Sequence, residues 1–230
     1  MISYTLLFGT LPDSEQFWDS AAYFLSQYPA LAVVGLAGYG GLTSNTTLDG
    51  VNYGGFEGVF LLPVLSPENT TDSIAAAFEP ILTHINTTWP GYFQFQVNTT
   101  VLPSFYDWWL SSNGPNDGGE EIMVGSRLLP AEALTANLTA LKLGLQGFQN
   151  PEAKGISVDF VSGKGVWNAV PRGGSDAVNP AWREAVVHMS KYKPARDPNI
   201  LCSYTLWLGV PILTLDSSER CSMELPRPRR

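Results

Sequence analysis

Apolar residues recur along this chain at two spacings, one typical of helices and the other of strands. The three-to-four-residue spacing of an amphipathic helix predicts five helices, at residues 17–25, 74–85, 105–110, 134–145 and 180–189. Short apolar or alternating runs predict five strands, at residues 30–38, 58–65, 93–97, 121–129 and 155–163. The Gly- and Thr-rich stretch 38–47 is predicted to be a loop between the first two strands.

The predicted strands are half polar rather than continuously apolar. In "GYFQFQVN", for example, Phe93, Phe95 and Val97 alternate with glutamines, as in a strand with one buried face. Half-buried strands are typical of antiparallel sheets, whereas parallel sheets are covered on both faces. We therefore predict an α+β fold, in which helices pack on one face of a largely antiparallel sheet and the other face is free to contact a partner.

Composition and charge exclude two classes of partner. The chain of 230 residues is 44% hydrophobic and 15% charged, which is enough apolar material for a folded core. Its formal net charge is −8, and Arg127 and Lys142 are the basic side chains of the first 150 residues. Such a surface repels phosphate backbones, so we predict no nucleic-acid partner. No run approaches the roughly 18 apolar residues of a membrane-spanning helix, so we predict no membrane insertion.

Asn-x-Thr sequons indicate a secretory history. They use five of the twelve asparagines, several times the chance rate. The acceptor residues are Asn45, Asn69, Asn86, Asn98 and Asn137. Sequons mark surface positions of secreted proteins, yet the first residues lack the charged and then apolar pattern of a signal peptide. We therefore expect a secreted, glycosylated parent protein whose beginning precedes this sequence.

Familiar metal-binding and hydrolytic patterns are missing from the sequence. His84 and His188 lie in predicted helices without Cys, Asp or Glu at ligand spacing, so no metal site is predicted. No Gly-x-Ser-x-Gly motif marks a hydrolase nucleophile. The Gly-rich "GLAGYGG" lacks the order of a phosphate-binding loop. Cys202 and Cys221 match no redox motif and could form one disulfide.

Two predicted strands carry polar groups that could meet a ligand. Asp159 shares one strand face with Ser157, while apolar residues occupy the other face. This polar face could line a pocket or contact water. Arg127 is a cation among apolar residues in "VGSRLL", and it could pair with a carboxylate or contact a ligand.

Two segments resemble a known enzyme family. They are "VGSRLLP", residues 124–130, and "NAVPRGGSDAVNPAWREAVVH", residues 168–188. Both are similar to the fungal members of the berberine-bridge-enzyme-like family, FAD-linked oxidoreductases of the vanillyl-alcohol-oxidase flavoprotein type. The resemblance covers residues 1–195 and implies the substrate domain of such an enzyme, a region that could include the end of a flavin domain. Residues 196–230 diverge from the family, and we expect a disordered or incorrectly assigned end.

The resemblance also implies a chemistry. It implies oxidation of an alcohol, sugar or secondary-metabolite carbon by hydride transfer to FAD, with a small molecule as the substrate. In the family the strand that matches "SVDF" faces the substrate, which makes Ser157 and Asp159 the first candidates, followed by Arg127 and Asn168. The family's flavin domain and its terminal tyrosine element have no match here, so we expect a fragment without turnover of its own.

A second hypothesis needs no cofactor. The sequons and the unmatched flavin motifs also fit a secreted, non-catalytic binding or structural glycoprotein domain. The encoding locus distinguishes the two hypotheses. An upstream reading frame with a signal peptide and flavin-domain motifs favours the oxidoreductase, and a promoter directly before Met1 favours the independent domain.

Overall fold

The structure is a computed structural model that describes residues 1–48, 51–112, 122–148, 155–163, 166 and 179–194. The described strands are β1 (Ile2–Thr10), β2 (Ala37–Leu48), β3 (Val51–Leu62), β4 (Gln94–Val101), β5 (Ile122–Pro130), β6 (Ile156–Phe160) and β7 (Ala185–Pro194). The described helices are α1 (Glu15–Ser26), α2 (Tyr28–Val34), α3 (Thr71–Thr88), α4 (Phe105–Ser112), α5 (Ala131–Thr135) and α6 (Leu138–Phe148), with a 3-10 helix (Pro180–Arg183) before β7. The predicted tail 196–230, both cysteines and the candidate Asn168 lie outside the described residues.

The described strands form one antiparallel sheet. Their order across the sheet is β4-β1-β3-β2-β6-β7-β5, and every neighbouring pair runs antiparallel. The hairpin of β2 and β3 lies in the middle of this order, and β6 and β7 connect it to the outer strand β5. The predicted α+β fold with an antiparallel sheet is therefore confirmed.

One face of the sheet is covered by helices and forms the core. Phe8 of β1 meets Phe24 of α1 at a ring-centroid distance of 5.3 Å, and Phe60 of β3 meets Phe78 of α3 at 4.7 Å. Further along the sheet, the ring of Tyr28 from α2 lies 4.7 Å from that of Phe160 on β6. Each fully buried side chain of this size contributes about 1.5–3 kcal/mol of hydrophobic stabilisation. This face therefore supplies much of the driving force for folding.

The predicted strand at residues 30–38 is wrong over most of its length. Residues 28–34 form the short helix α2, with proline in its first turn, and the helix ends at Gly35 with φ of 101°. A glycine adopts this left-handed conformation easily, which makes it a common helix terminator. The apolar run "ALAVV" fits a buried strand and a buried helix equally well, because runs this short show no clear period.

Two strands were missed between residues 2 and 48. Residues 2–10 form β1, in which Ile2, Tyr4, Leu6 and Phe8 are buried on the helix-covered face. The predicted loop at residues 38–47 belongs to β2, which pairs with β3 on one side and with β6 on the other. Pairing on both sides satisfies the backbone of this Gly-rich segment, although glycine has low intrinsic strand propensity.

The predicted helix at residues 180–189 is also wrong. The Asn179 side chain accepts a hydrogen bond from the Ala181 amide and begins a single 3-10 turn, after which the chain becomes strand β7. The consecutive residues Val186 and Val187 at the start of β7 are both buried. This short apolar run, together with Trp182 and Met189, has the spacing of a helical stripe.

Candidate functional site

Polar strand residues gather on the sheet face opposite the core. Residues directly opposite each other in antiparallel strands project from the same face. One such row crosses the sheet as Gln96, Leu7, Glu57, Gly41, Ser157, Ser190 and Ser126. In the neighbouring row, the β2–β6 register sets Tyr39 opposite Asp159, and the row is Asn98, Thr5, Val59, Tyr39, Asp159, His188 and Leu128. We call the surface formed by these two rows the open face.

Asp159 and Ser157 lie together on the open face, as the alternation of their strand predicts. The Ser157 hydroxyl donates a hydrogen bond of 2.8 Å to Oδ1 of Asp159. Burial raises the pKa of the Asp159 carboxyl, while the Ser157 hydrogen bond and the proximity of His188 act in the opposite direction. This carboxylate is therefore partly desolvated and fixed in orientation, which is typical of a group that binds a polar ligand.

His188 is the residue that the sequence reasoning missed. It lies on β7 directly opposite Asp159, with its Nδ1 atom 3.8 Å from Oδ2 of Asp159. The two side chains are 25% and 23% exposed, and the Trp182 ring lies 5.1 Å from the imidazole, centroid to centroid. The strand assignment of residues 185–194 is the missing information, because the pairing of β6 with β7 sets His188 opposite Asp159.

The structure does not bring Arg127 to this site. Arg127 lies on the outer strand β5 opposite Met189, and Met189 in turn lies opposite Val158. These residues belong to the helix-covered face, so Arg127 projects from the side opposite to Ser157 and Asp159. Its side chain lies in an exposed position at the sheet edge. The fourth candidate, Asn168, lies outside the described residues.

A pair of glycines lies beside the open face, in the row that follows Leu7 and Glu57 toward the end of β1. Gly9 of β1 is paired with Gly55 of β3. A Cβ added to Gly9 would lie 3.4 Å from a ring carbon of Tyr53, and a Cβ added to Gly55 would lie 3.3 Å from ring carbons of the same residue. The Tyr53 ring therefore packs over this glycine pair. Two depressions of about 160 Å³ and 710 Å³ adjoin at Leu7 and Tyr53, and the Glu57 carboxylate lines the smaller one. A flat aromatic ring beside hydrogen-bonding groups is suited to an uncharged small ligand.

Helix α4 also contacts the open face. The buried Trp108 ring stacks on Tyr39 with a centroid distance of 5.8 Å and an interplanar angle of 6°. Other large side chains of the helix remain exposed, namely Phe105, Tyr106, Trp109 and Leu110. The open face thus adjoins an exposed aromatic surface, as expected where a further domain or ligand packs.

The sequon asparagines are distributed over several elements. Asn86, Asn98 and Asn137 are in exposed positions on α3, on β4 and before α6. The exposed Asn45 donates a hydrogen bond from Nδ2 to Asp13, and the half-buried Asn69 donates one to the Pro63 carbonyl. Asn98 belongs to the second row of the open face, at the outer strand of the sheet.

The described part of the chain contains no group of three His, Cys, Asp or Glu side chains arranged to hold a metal ion. In the same described ranges, no helix has the length and apolar character needed to cross a membrane.

Comparison with known proteins identifies the fold. The crystal structure of VAO-type flavoprotein MtVAO713 from Myceliophthora thermophila C1 matches with a TM-score of 0.69 and 19% identity, covering 88% of this chain and 36% of that chain. The crystal structure of aclacinomycin oxidoreductase matches with a TM-score of 0.54 and 10% identity, covering 89% of this chain and 39% of that one. No protein-family model and no curated protein matches the sequence.

These structures confirm the resemblance at the level of fold. The chain has a fold that is found in VAO-type flavoproteins. It spans little more than a third of the length of either matched structure. Fold similarity at this identity does not transfer an activity, which must be argued from the site.

Proposed function

We propose that this chain is the substrate domain of an FAD-dependent oxidoreductase that oxidises an uncharged alcohol, sugar or secondary metabolite. The observation that carries the proposal is the open face: a polar sheet surface that carries the hydrogen-bonded Asp159 carboxylate, in a fold shared with a VAO-type flavoprotein. Small-molecule sites combine a largely apolar surface with a few convergent polar groups. Ser157, Asp159, Tyr39 and Glu57 would be the polar groups that bind and orient the substrate.

We place the open face beside the flavin ring and assign the FAD pyrophosphate to another domain. FAD pyrophosphate is held by glycine-rich loops at helix N-termini or by cation clusters. Among the cations of the described ranges, Lys142 is bound to Glu15 and Asp19, and Lys191 is directed to the Phe148 carbonyl on the core side. FAD would therefore be held mainly by a flavin domain outside this chain, with the open face beside the ring.

The chemistry divides between the cofactor and the chain. Bound FAD supplies the hydride acceptor and its reoxidation by oxygen. The chain contributes a partly desolvated carboxylate to orient the substrate hydroxyl, a hydroxyl at Ser157 to fix that carboxylate, and aromatic surface at Tyr53 and Trp108 to exclude water. Arg127 has no part in this proposal because it projects from the other face.

A secretory route is a further part of the proposal. Four of the five sequon asparagines are exposed, and exposed acceptors are a requirement for N-glycans in a folded protein. We infer a secreted, glycosylated parent. The same observation supports the second candidate, a secreted glycoprotein domain that binds or supports other molecules without catalysis.

Isolation of the native protein separates the two candidates. An antibody raised against this chain is used to purify the native protein from its source. We expect a polypeptide larger than 25.0 kDa with visible flavin absorbance, which forms peroxide with members of an alcohol and sugar panel. A colourless protein without peroxide formation would contradict the oxidoreductase and favour the glycoprotein domain.

A control uses the chain alone. Mixed with excess FAD, it should retain no flavin after gel filtration, and its melting temperature should stay unchanged because the proposal assigns the FAD pyrophosphate to a separate domain. Retention of flavin with a raised melting temperature would contradict the assignment of cofactor binding to a separate domain.

A further inference from the structure

We infer that His188 takes up the hydroxyl proton of the substrate on the open face, while Asp159 holds its imidazole in the productive tautomer. This inference rests on the proposed oxidoreductase function, because alcohol oxidation requires a proton acceptor. It adds a catalytic residue, His188, and gives Asp159, one of the substrate-orienting groups proposed above, the additional role of positioning His188.

The geometry supports this division of roles. Asp159 Oδ1 already accepts the Ser157 hydroxyl, and Oδ2 is the oxygen that faces Nδ1 of His188 at 3.8 Å. Such contacts are often long without substrate and shorten in the complex. A carboxylate that faces Nδ1 favours the proton on this nitrogen and leaves Nε2 as the acceptor. In Ser-His-Asp triads a carboxylate hydrogen-bonded to Nδ1 orients the base, and the separation of 3.8 Å between Asp159 and His188 has to shorten to reach that geometry.

The surroundings of His188 limit its other contacts. Trp182 covers the imidazole from the 3-10 turn at 5.1 Å, and Leu128 lies opposite it on β5. Near Asp159, Tyr39 lies opposite it on β2, and Glu57 lies in the neighbouring row on β3. From the core side, the buried Tyr28 interacts electrostatically with Asp159, and its pKa is raised, mainly by burial and further by this carboxylate. Asp159 is thus the carboxylate placed directly opposite the imidazole.

The step balances with a flavin as the oxidant. The carbinol C–H bond breaks, and its electron pair and hydrogen pass to the oxidised flavin, which is reduced. The O–H bond breaks, its proton passes to Nε2 of His188, and its electron pair forms the carbonyl bond. The imidazolium that results is stabilised by the Asp159 carboxylate.

The tautomer of His188 tests the coupling without cofactor or turnover. The chain contains two histidines, so long-range proton–nitrogen NMR spectra of the labelled chain show two imidazoles, assigned with the His84→Gln variant. We expect neutral His188 mainly in the form protonated at Nδ1. Asp159→Ala should shift it toward the Nε2-protonated form, and His84, which contacts Tyr23 and Thr88 instead, should not change. Nε2 protonation of His188 in the unmodified chain would overturn the inference, even if the variant fails to fold.

Activity of the flavin-loaded parent protein tests the catalytic role. His188→Gln should lower kcat by about 10²–10⁴-fold, the usual contribution of a general base, with little change in KM and partial rescue by added imidazole. The matched control His84→Gln should keep full activity. Unchanged kcat in His188→Gln would overturn the inference and leave the oxidoreductase intact. A parent without flavin would instead contradict the proposed function, and the NMR result would still decide whether Asp159 controls His188.

Discussion

The two faces of this sheet are built from the same strands with opposite composition. On β3, Phe56 and Phe60 point into the helix-covered core, whereas Glu57 and Val59 between them belong to the open face. The first face is dense with aromatic contacts, and the second carries serines, glycines and the pair Asp159 and His188. The difference indicates that the residues of the packed core alternate with the residues of the open face, so neighbouring substitutions should have very different effects on stability.

Truncation of a core ring should give the largest effect. Phe60 is 1% exposed and lies among rings of α1, α2, α3 and β6. Phe60→Ala should lower the free energy of unfolding by about 3–5 kcal/mol, because it removes apolar contact and leaves a cavity. Denaturant unfolding followed by circular dichroism measures this loss.

The matched control is the next residue along the strand. Val59→Ala removes a half-buried side chain from the open face and should cost less than about 1.5 kcal/mol. Equal losses in the two variants would show that the open face is as tightly packed as the core, which contradicts the contrast between the faces.

Two glycines of β2 extend the comparison to the backbone. Gly38 lies opposite Phe60, and a Cβ added to it would come within 2.1 Å of the Val59 carbonyl oxygen. Gly41 belongs to the open face, and a Cβ added to it would have its nearest neighbouring atom at 3.8 Å. Gly38→Ala should therefore destabilise the fold by about 1–3 kcal/mol, and Gly41→Ala should stay within about 0.5 kcal/mol of the parent. Thermal melts of both variants measure the difference. A stable Gly38→Ala variant would contradict the close approach of β2 and β3.

The fold class could be predicted from sequence because it depends on local alternation. The half-polar strands and the helical stripes at 17–25, 74–85 and 134–145 were sufficient for an antiparallel sheet with helices on one face. Strand β1 could also have been found, since apolar residues occupy every second position from Ile2 to Phe8, although the apolar Leu7 interrupts the alternation.

Other features depend on distant pairing and could not be predicted from sequence. Strand β7 is a strand because β5 and β6 pair with it on both sides, and this long-range effect overrides its helical spacing. The positions of the candidate residues could be predicted only in part for the same reason. Ser157 and Asp159 share a face by local alternation, whereas His188 reaches Asp159, and Arg127 leaves it, through the register of β7.

Asp159, on the open face, should make the stability of the protein depend on pH. Burial raises the pKa of the Asp159 carboxyl in the folded protein above its value in the unfolded chain, although Ser157 and His188 act to lower it. The folded protein therefore binds the carboxyl proton of Asp159 more tightly than the unfolded chain does. The charged carboxylate therefore costs stability at neutral pH, and the cost is relieved as the pH falls through the folded pKa. Asp159→Asn should be more stable than the parent at neutral pH, and the difference should shrink in acid.

Ser157→Ala is the companion variant. This variant lacks the hydrogen bond that lowers the pKa of Asp159, and the pKa of Asp159 should therefore rise further. The loss of one partly buried hydrogen bond should also lower the free energy of unfolding by about 0.5–1.5 kcal/mol at neutral pH. Melting temperatures measured across the acid range test both variants. An Asp159→Asn difference that grows in acid would contradict burial as the dominant cause.

The smallest effect is expected at a sequon away from both faces. The side-chain oxygen of Asn137 accepts a hydrogen bond from the Ala140 amide at the start of α6, so this asparagine has a structural role besides its sequon. Thr139→Ala removes the sequon and keeps that cap, whereas Asn137→Ala removes both. Secreted from a eukaryotic host behind a leader peptide, each variant should lose one glycan by mass spectrometry. Measured on enzymatically deglycosylated protein, Thr139→Ala should stay within about 0.5 kcal/mol of the parent and Asn137→Ala should lose about 1 kcal/mol. An unchanged mass in both variants would show that an exposed sequon at this helix start carries no glycan.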